Sequence, residues 1–375
     1  MQLFHCSHCG FVVFFESFEC VHCGSTLAFS PEDMAMVALM PADAPPAAGA
    51  APSWQRRPAR SPALAAAQGG ADAPPRRYRL CSHRTPHGAC NFSLPDDEAT
   101  GPTPLCAACR QTRLLPDLSA PDNLRRWSQI EAAKRHLFYT LARLGLNGPA
   151  GPVYEFLADL PGAPPVVTGH AQGVITLNVA EADDDERTRR RLALHEPYRT
   201  LLGHLRHESG HYFWDALVLH GGHVEAFRAL FGDERRDYAE ALREHYARAP
   251  LHAQDWQNQH VSAYAAAHPW EDWAETWAHY LHLVDMLETA EAFRTRMSVP
   301  GPLEAPQYVM VNPFAWPAPS FDDMLAAWMP LTLLLNSLNR SLGQSDAYPF
   351  APSSGAQRKL RFVHDLVRGQ LPPPA

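Results

Sequence analysis

Leu205-Arg206-His207-Glu208-Ser209-Gly210-His211-Tyr212 is the stretch on which the reading of this chain turns. On a helix, residues four apart share a face, so His207 and His211 can present two imidazoles to one point. This is the spacing with which two histidines grip a zinc ion. Glu208 lies beside them, near the metal's open position, where a general base would stand. Leu201, Leu202, Leu205, Phe213 and Leu217 supply the apolar surface to bury such a helix. Gly210 costs it roughly 1 kcal/mol relative to alanine. That cost is understandable if close approach to the metal site requires a missing side chain.

A third ligand is expected downstream, in Trp270-Glu271-Asp272-Trp273-Ala274-Glu275-Thr276-Trp277. A helix is predicted to open after Pro269. Glu271 and Glu275 share one face of it among Trp270, Trp273, Ala274 and Trp277. Two acids there are costly to bury unpaired. Beside the histidine pair, one carboxylate can ligate zinc while the other holds a ligand histidine in orientation. His204, three residues before His207, and His279, His282, His220 and His223 are read as surface or hydrogen-bonded core histidines rather than ligands.

The cysteines form two further groups. Cys6-x-x-Cys9 and Cys20-x-x-Cys23 each place two thiolates on a tight knuckle, able to chelate one side of a tetrahedral zinc ion. Gly10 and Gly24 follow them, where positive φ is needed. Phe11 to Phe15 suits a short hairpin, so this is a zinc ribbon. Cys81, Cys90, Cys106 and Cys109 fall within a short stretch and complete a second four-cysteine site.

Composition narrows the class. Of 375 residues, 46% are apolar, enough for a sizeable core, and the formal net charge is −8. A net-acidic chain, whose first 28 residues contain no lysine or arginine, makes nucleic acid a poor partner. No apolar run reaches the ~20 residues needed to cross a bilayer. Met1 to Phe18 has neither basic n-region nor cleavage site, so the cytoplasm is expected and eight cysteines are read as metal ligands rather than disulfides.

The predicted organisation is α+β. Two N-terminal zinc-ribbon modules precede a mostly helical zincin-like domain with a small β-sheet. The boundaries are 1–28 for the first ribbon, 29–77 for an Ala/Pro-rich flexible linker, 78–113 for the second four-cysteine module and 114–375 for the large domain. The linker holds much of the excess in 35 prolines. A long helix should run from an Asp122 cap to Gly145. Val166–Thr168 and Val174–Val179 read as strands joined by a Gly169–Gly173 loop. Helices follow at about 198–219, 224–231, 234–248, 270–297, 321–340 and 356–368.

His207-Glu208-x-x-His211 with a downstream glutamate on a second helix resembles the gluzincin metallopeptidases. That resemblance implies Glu271 as the third ligand and Glu275 as the acid that orients a ligand histidine. It also implies Tyr264, seven residues before Glu271, as an oxyanion donor. Across nearly all of the chain outside the linker, a closer resemblance is to a family of bacterial zinc-ribbon-containing zinc-binding metallopeptidases. It is carried by the CxxC…CxxC ribbon, Arg79-Leu80-Cys81 to Cys90-Asn91, Pro116-Asp117-Leu118, Leu177-Asn178-Val179-Ala180-Glu181-Ala182-Asp183, Arg206-His207-Glu208 and His268-Pro269-Trp270-Glu271-Asp272. The expectation is one catalytic and two structural zinc ions, and hydrolysis of a peptide or protein substrate with Glu208 as general base. An extended peptide could pair with Val174–Val179 as an edge strand. The ribbons could also dock a protein partner. In the alternative, the chain is such an adapter and its zincin-like domain is inactive or regulatory.

Overall fold

The computed structural model describes residues 1–43, 52–67, 76–85, 87–97, 101–148, 151–193, 200–247, 255–299, 301 and 306–371. The N-terminal part starts with the hairpin β1 (Phe4–His5) and β2 (Val12–Val13). Next come β3 (Thr26–Ser30), β4 (Ala35–Pro41), β5 (Trp54–Arg56), the short helix α1 (Pro62–Ala67), β6 (Arg77–Leu80) and β7 (Ser93–Pro95). Strands β3 to β7 form one antiparallel meander in sequence order. A parallel bridge between Phe29 and Phe92 brings its first and last strands together.

The expected flexible linker over 29–77 is therefore corrected. Where described, it supplies the end of β3, all of β4 and β5, and α1. Strand β4 is buried on both faces. Met36 and Ala38 face the cysteine-rich core, while Val37 and Leu39 pack with Ala28 and Tyr78. The Met36-Val37-Ala38-Leu39 run carries this strand, and the Ala/Pro composition around it masked a sheet. Residues 44–51 and 68–75 of the expected linker lie outside the described residues. The two expected ribbon modules are joined through this sheet.

The remaining elements form the large domain. They are β8 (Thr112–Leu114), α2 (Asn123–Arg143), β9 (Val153–Leu157), β10 (Gly169–Ala171), β11 (Val174–Asn178), α3 (Asp184–Ala193), α4 (Leu201–Phe213), α5 (Val224–Phe231), α6 (Tyr238–Ala247), α7 (Pro269–Ala292), β12 (Arg296–Ser298), β13 (Gln307–Val309), α8 (Phe321–Ser341) and α9 (Ser354–Val367). The main sheet has the order β10-β11-β9-β8, with β11 and β8 parallel to β9 and β10 antiparallel. Among the described residues, no helix is long and apolar enough to cross a membrane.

Several local expectations change. Asp122 has φ 65° and makes no side-chain cap at the start of α2. The first strand of the hairpin lies at Gly169–Ala171, inside the expected loop, because Gln172 and Gly173 turn the chain with φ of 50° and 80°. Consequently β11 is internal and β10 is the edge, so Val174–Val179 is not an edge open to a peptide. The helix expected over 198–219 is α4 followed by a π-helical turn at Trp214–Leu219.

Helix α7 is the spine of the large domain. Trp273, Trp277, Leu281, Val284 and Leu287 are fully buried along it. Its start is set by Pro269 at the first helical position and by His268, whose ring accepts from Trp270 N. Helix α4 crosses α7 at Gly210. A Cβ there would lie 2.9 Å from Ala274 Cα and 3.2 Å from Trp277 Cδ1. The missing side chain admits the α7 backbone rather than the metal-site side chains themselves. Trp273 Nε1 donates to Gly210 O at 2.7 Å and Trp277 Nε1 to Ser209 Oγ at 3.1 Å, which fixes the crossing.

Candidate metal centre

The α4–α7 crossing brings His207, His211 and Glu271 together, with one potential ligand atom from each within 4.8 Å of the others. His207 Nε2 lies 3.1 Å from Glu271 Oε2, and His211 Nε2 lies 3.6 Å from Glu271 Oε1. Atoms bound tetrahedrally at about 2.0–2.1 Å would be about 3.3 Å apart, so the spacing fits one zinc ion. Glu271 Oε2 is also buried without a hydrogen bond, the state of an oxygen that a cation would satisfy.

Other side chains hold this group. Glu275 Oε1 accepts from His207 Nδ1 at 2.7 Å, and Ser262 Oγ donates to Glu275 Oε2 at 2.6 Å. Tyr238 donates to Glu271 Oε1 at 2.7 Å. Trp270 lies against His211, with ring centroids 4.0 Å apart. Tyr264, in a short 3-10 turn, places its ring 5.9 Å from that of His207. Glu208 is buried on α4, where its Oε1 meets His204 Nε2 at 3.1 Å.

Burial and charge pull the titrations in opposite directions. Burial alone would raise Glu271, but His211 and His207 bring its carboxyl down to about 2. Burial lowers His211 to about 4, a neutral imidazole with a lone pair to give. Burial also works against a charged His207, yet Glu271 and Glu275 hold it well above the usual histidine range. Burial opposes a charged His204, and Glu181 and Glu208 outweigh it, raising it to about 9. Burial and the Glu271 charge push the Tyr264 phenol far up, so it stays a proton donor at neutral pH.

The eight cysteines form two clusters, Cys6, Cys9, Cys20 and Cys23, and Cys81, Cys90, Cys106 and Cys109. All eight are free thiols. Cys6 and Cys23 sulfurs are 3.8 Å apart, while Cys9 to Cys20 and Cys90 to Cys106 are 3.7 Å. Sulfurs at about 2.3 Å around a tetrahedral zinc have edges of about 3.8 Å. Both clusters therefore have the dimensions of a structural zinc site. Gly10 and Gly24 take φ of 77° and 64°, as expected after each knuckle.

Sequence reasoning missed four partners. Tyr238 and Ser262 are remote in sequence from the ligands they support and carry no pattern. Glu181 has no signal of its own beyond its place in the Leu177–Asp183 stretch. His204 had a signal, since it lies one turn before Glu208, yet its use depends on Glu181 arriving from the end of β11.

Comparisons with known proteins give the family. A zinc-ribbon domain matches residues 3–120. A family described as "Putative zinc-binding metallo-peptidase" matches residues 123–366. Uncharacterized proteins of Mycobacterium bovis and of Mycobacterium tuberculosis strains CDC 1551 and H37Rv are each 35% identical over 376 residues, covering 98% of this chain and 95% of the relative. No solved structure matches the chain. With the match spanning more than half of its length, the chain belongs to this zinc-binding metallopeptidase family and carries a zinc-ribbon domain ahead of the peptidase region.

Proposed function

We propose that the chain is a gluzincin-type zinc peptidase that hydrolyses peptide bonds, with His207, His211 and Glu271 as zinc ligands. The observation that carries this is the meeting of two histidine Nε2 atoms with one buried, hydrogen-bond-deficient carboxylate. A zinc ion held there would acidify a water and polarise the scissile carbonyl. The protein's own groups do the rest. Glu208 accepts a proton from the attacking water as the carbon–oxygen bond forms. It returns that proton to the amide nitrogen as the carbon–nitrogen bond breaks. Tyr264, kept protonated by its surroundings, donates to the oxyanion of the tetrahedral intermediate. Glu275 keeps His207 in one orientation, and Tyr238 does the same for Glu271. The two cysteine clusters each hold a structural zinc, for a proposed total of one catalytic and two structural ions.

The test is hydrolysis of a quenched-fluorescence peptide mixture by the zinc-loaded chain and by Glu208→Gln. The wild type is expected to cleave, and Glu208→Gln to keep its zinc while losing at least about 100-fold in rate. Undiminished cleavage by Glu208→Gln, or none by the fully zinc-loaded wild type, would refute the proposal.

A further inference from the structure

Glu208 is buried, and a buried carboxylate must be hydrogen-bonded to be tolerated in one orientation. Among the described residues its hydrogen-bond partner is His204, whose Nε2 lies 3.1 Å from Oε1, and Oε2 has none. The other ring nitrogen of His204, Nδ1, lies 2.7 Å from Glu181 Oε2. Glu181 is itself fixed. Thr168 Oγ1 donates to its Oε1 at 2.7 Å, and Arg187 Nη1 donates to its backbone oxygen at 2.7 Å. Glu181 is 1% exposed and sits in the 3-10 turn Val179–Ala182 that leaves β11. The imidazole is thus held at both nitrogens, by an acid from the turn after β11 and by an acid one turn along its own helix.

We propose that His204 is the positioning residue for Glu208, anchored by Glu181, holding one carboxylate oxygen and leaving the other free for proton transfer. This rests on the reading of Glu208 as general base and adds to it the device that fixes that base. A histidine retained only for packing would not need two carboxylates at its two nitrogens. The arrangement also ties α4 to the end of the sheet strand next to the edge strand β10. His204 is not a ligand in this account, because its Nε2 is engaged by Glu208.

The test compares zinc-loaded full-length wild type, His204→Ala, His204→Gln and Glu181→Gln. Zinc content is expected to stay at the wild-type value in all of them. On the quenched-fluorescence peptide mixture, His204→Ala should lose about ten- to a hundredfold in kcat with KM unchanged, as a displaced catalytic group does. His204→Gln, which keeps an N–H donor, should recover part of that loss. In a Glu208→Gln background, His204→Ala should cost nothing further, because the two act as a unit. Crystal structures of the zinc-loaded proteins should show the Glu208 carboxylate rotated in His204→Ala and in place in the wild type. The inference is overturned if Glu208 keeps its position in that variant, or if the two losses multiply in the double variant. Should His204→Ala not fold, His204→Gln and Glu181→Gln carry the same comparison. A wild type that cleaves no peptide sinks the peptidase reading, while the crystallographic comparison still decides the role of His204.

Discussion

Glu271 and Glu275 lie one helical turn apart on α7 and meet different atoms. Glu271 faces both histidine Nε2 atoms, whereas Glu275 meets His207 Nδ1 and Ser262 Oγ. Their loss should therefore differ in kind. Glu271→Gln is expected to empty the site of zinc. Glu275→Gln should keep it with affinity weakened by about 10–100-fold, measured by competition with a chromophoric chelator. The reverse order would exchange their roles. The buried histidines also set a pH response. Burial holds His279 and His364 down at about 4, so the folded state binds fewer protons than an unfolded histidine of about 6.5. Their contribution is present above pH about 6.5 and is lost as pH falls toward 4. His204 works the other way. Its value of about 9 gives a contribution that is complete below pH about 6.5 and is lost as pH rises through 9. Thermal melts should thus peak in Tm near neutrality and fall on both sides; a Tm that is flat between pH 7 and 4.5 would contradict the burial argument. At this scale the HExxH pair and both glutamates were legible, because helical spacing alone puts them on defined faces. Tyr238 was not, because its contact with Glu271 spans two helices and follows no period.

At the scale of elements, the α4–α7 crossing positions the centre. Gly210 admits the α7 backbone, so Gly210→Ala must force the helices apart or strain Ala274. Alanine gains about 1 kcal/mol in helix propensity. Overpacking typically costs about 1–3 kcal/mol, so a net loss is expected, read as a lower denaturation midpoint at unchanged m-value. A more stable Gly210→Ala would mean the crossing is looser than its contacts indicate. The sequence marked Gly210 as unusual without naming its partner, since the approach of a second helix leaves no local pattern. Helix α7 was legible from its tryptophan spacing and Pro269. The hairpin β10–β11 was misplaced by a few residues because Gly169-His170-Ala171 lacks the β-branched residues that signal a strand.

At the scale of the molecule, the zinc-ribbon part is not a loose appendage. Phe4, Phe15, Phe29 and Phe92 pack with Phe138 and Tyr139 of α2, in one core with the buried cysteines. Tyr139 also donates to Glu288 of α7 at 2.8 Å. Removing a structural ligand should therefore be felt beyond its own site. Cys90→Ser is expected to lose one zinc and to lower the Tm of the whole chain, with no separate early transition for the ribbon part; an unchanged Tm would separate the two parts energetically. The α+β class and both cysteine clusters were legible from motif spacing and composition. The meander joining those clusters was not, because its strands are short and sit inside Ala/Pro-rich sequence. The site map as a whole is tested most directly by the zinc content of the purified intact chain beside that of a His207→Ala/His211→Ala variant. Three zinc ions per chain are expected in the wild type and two in the variant. An equal zinc content in both would contradict it.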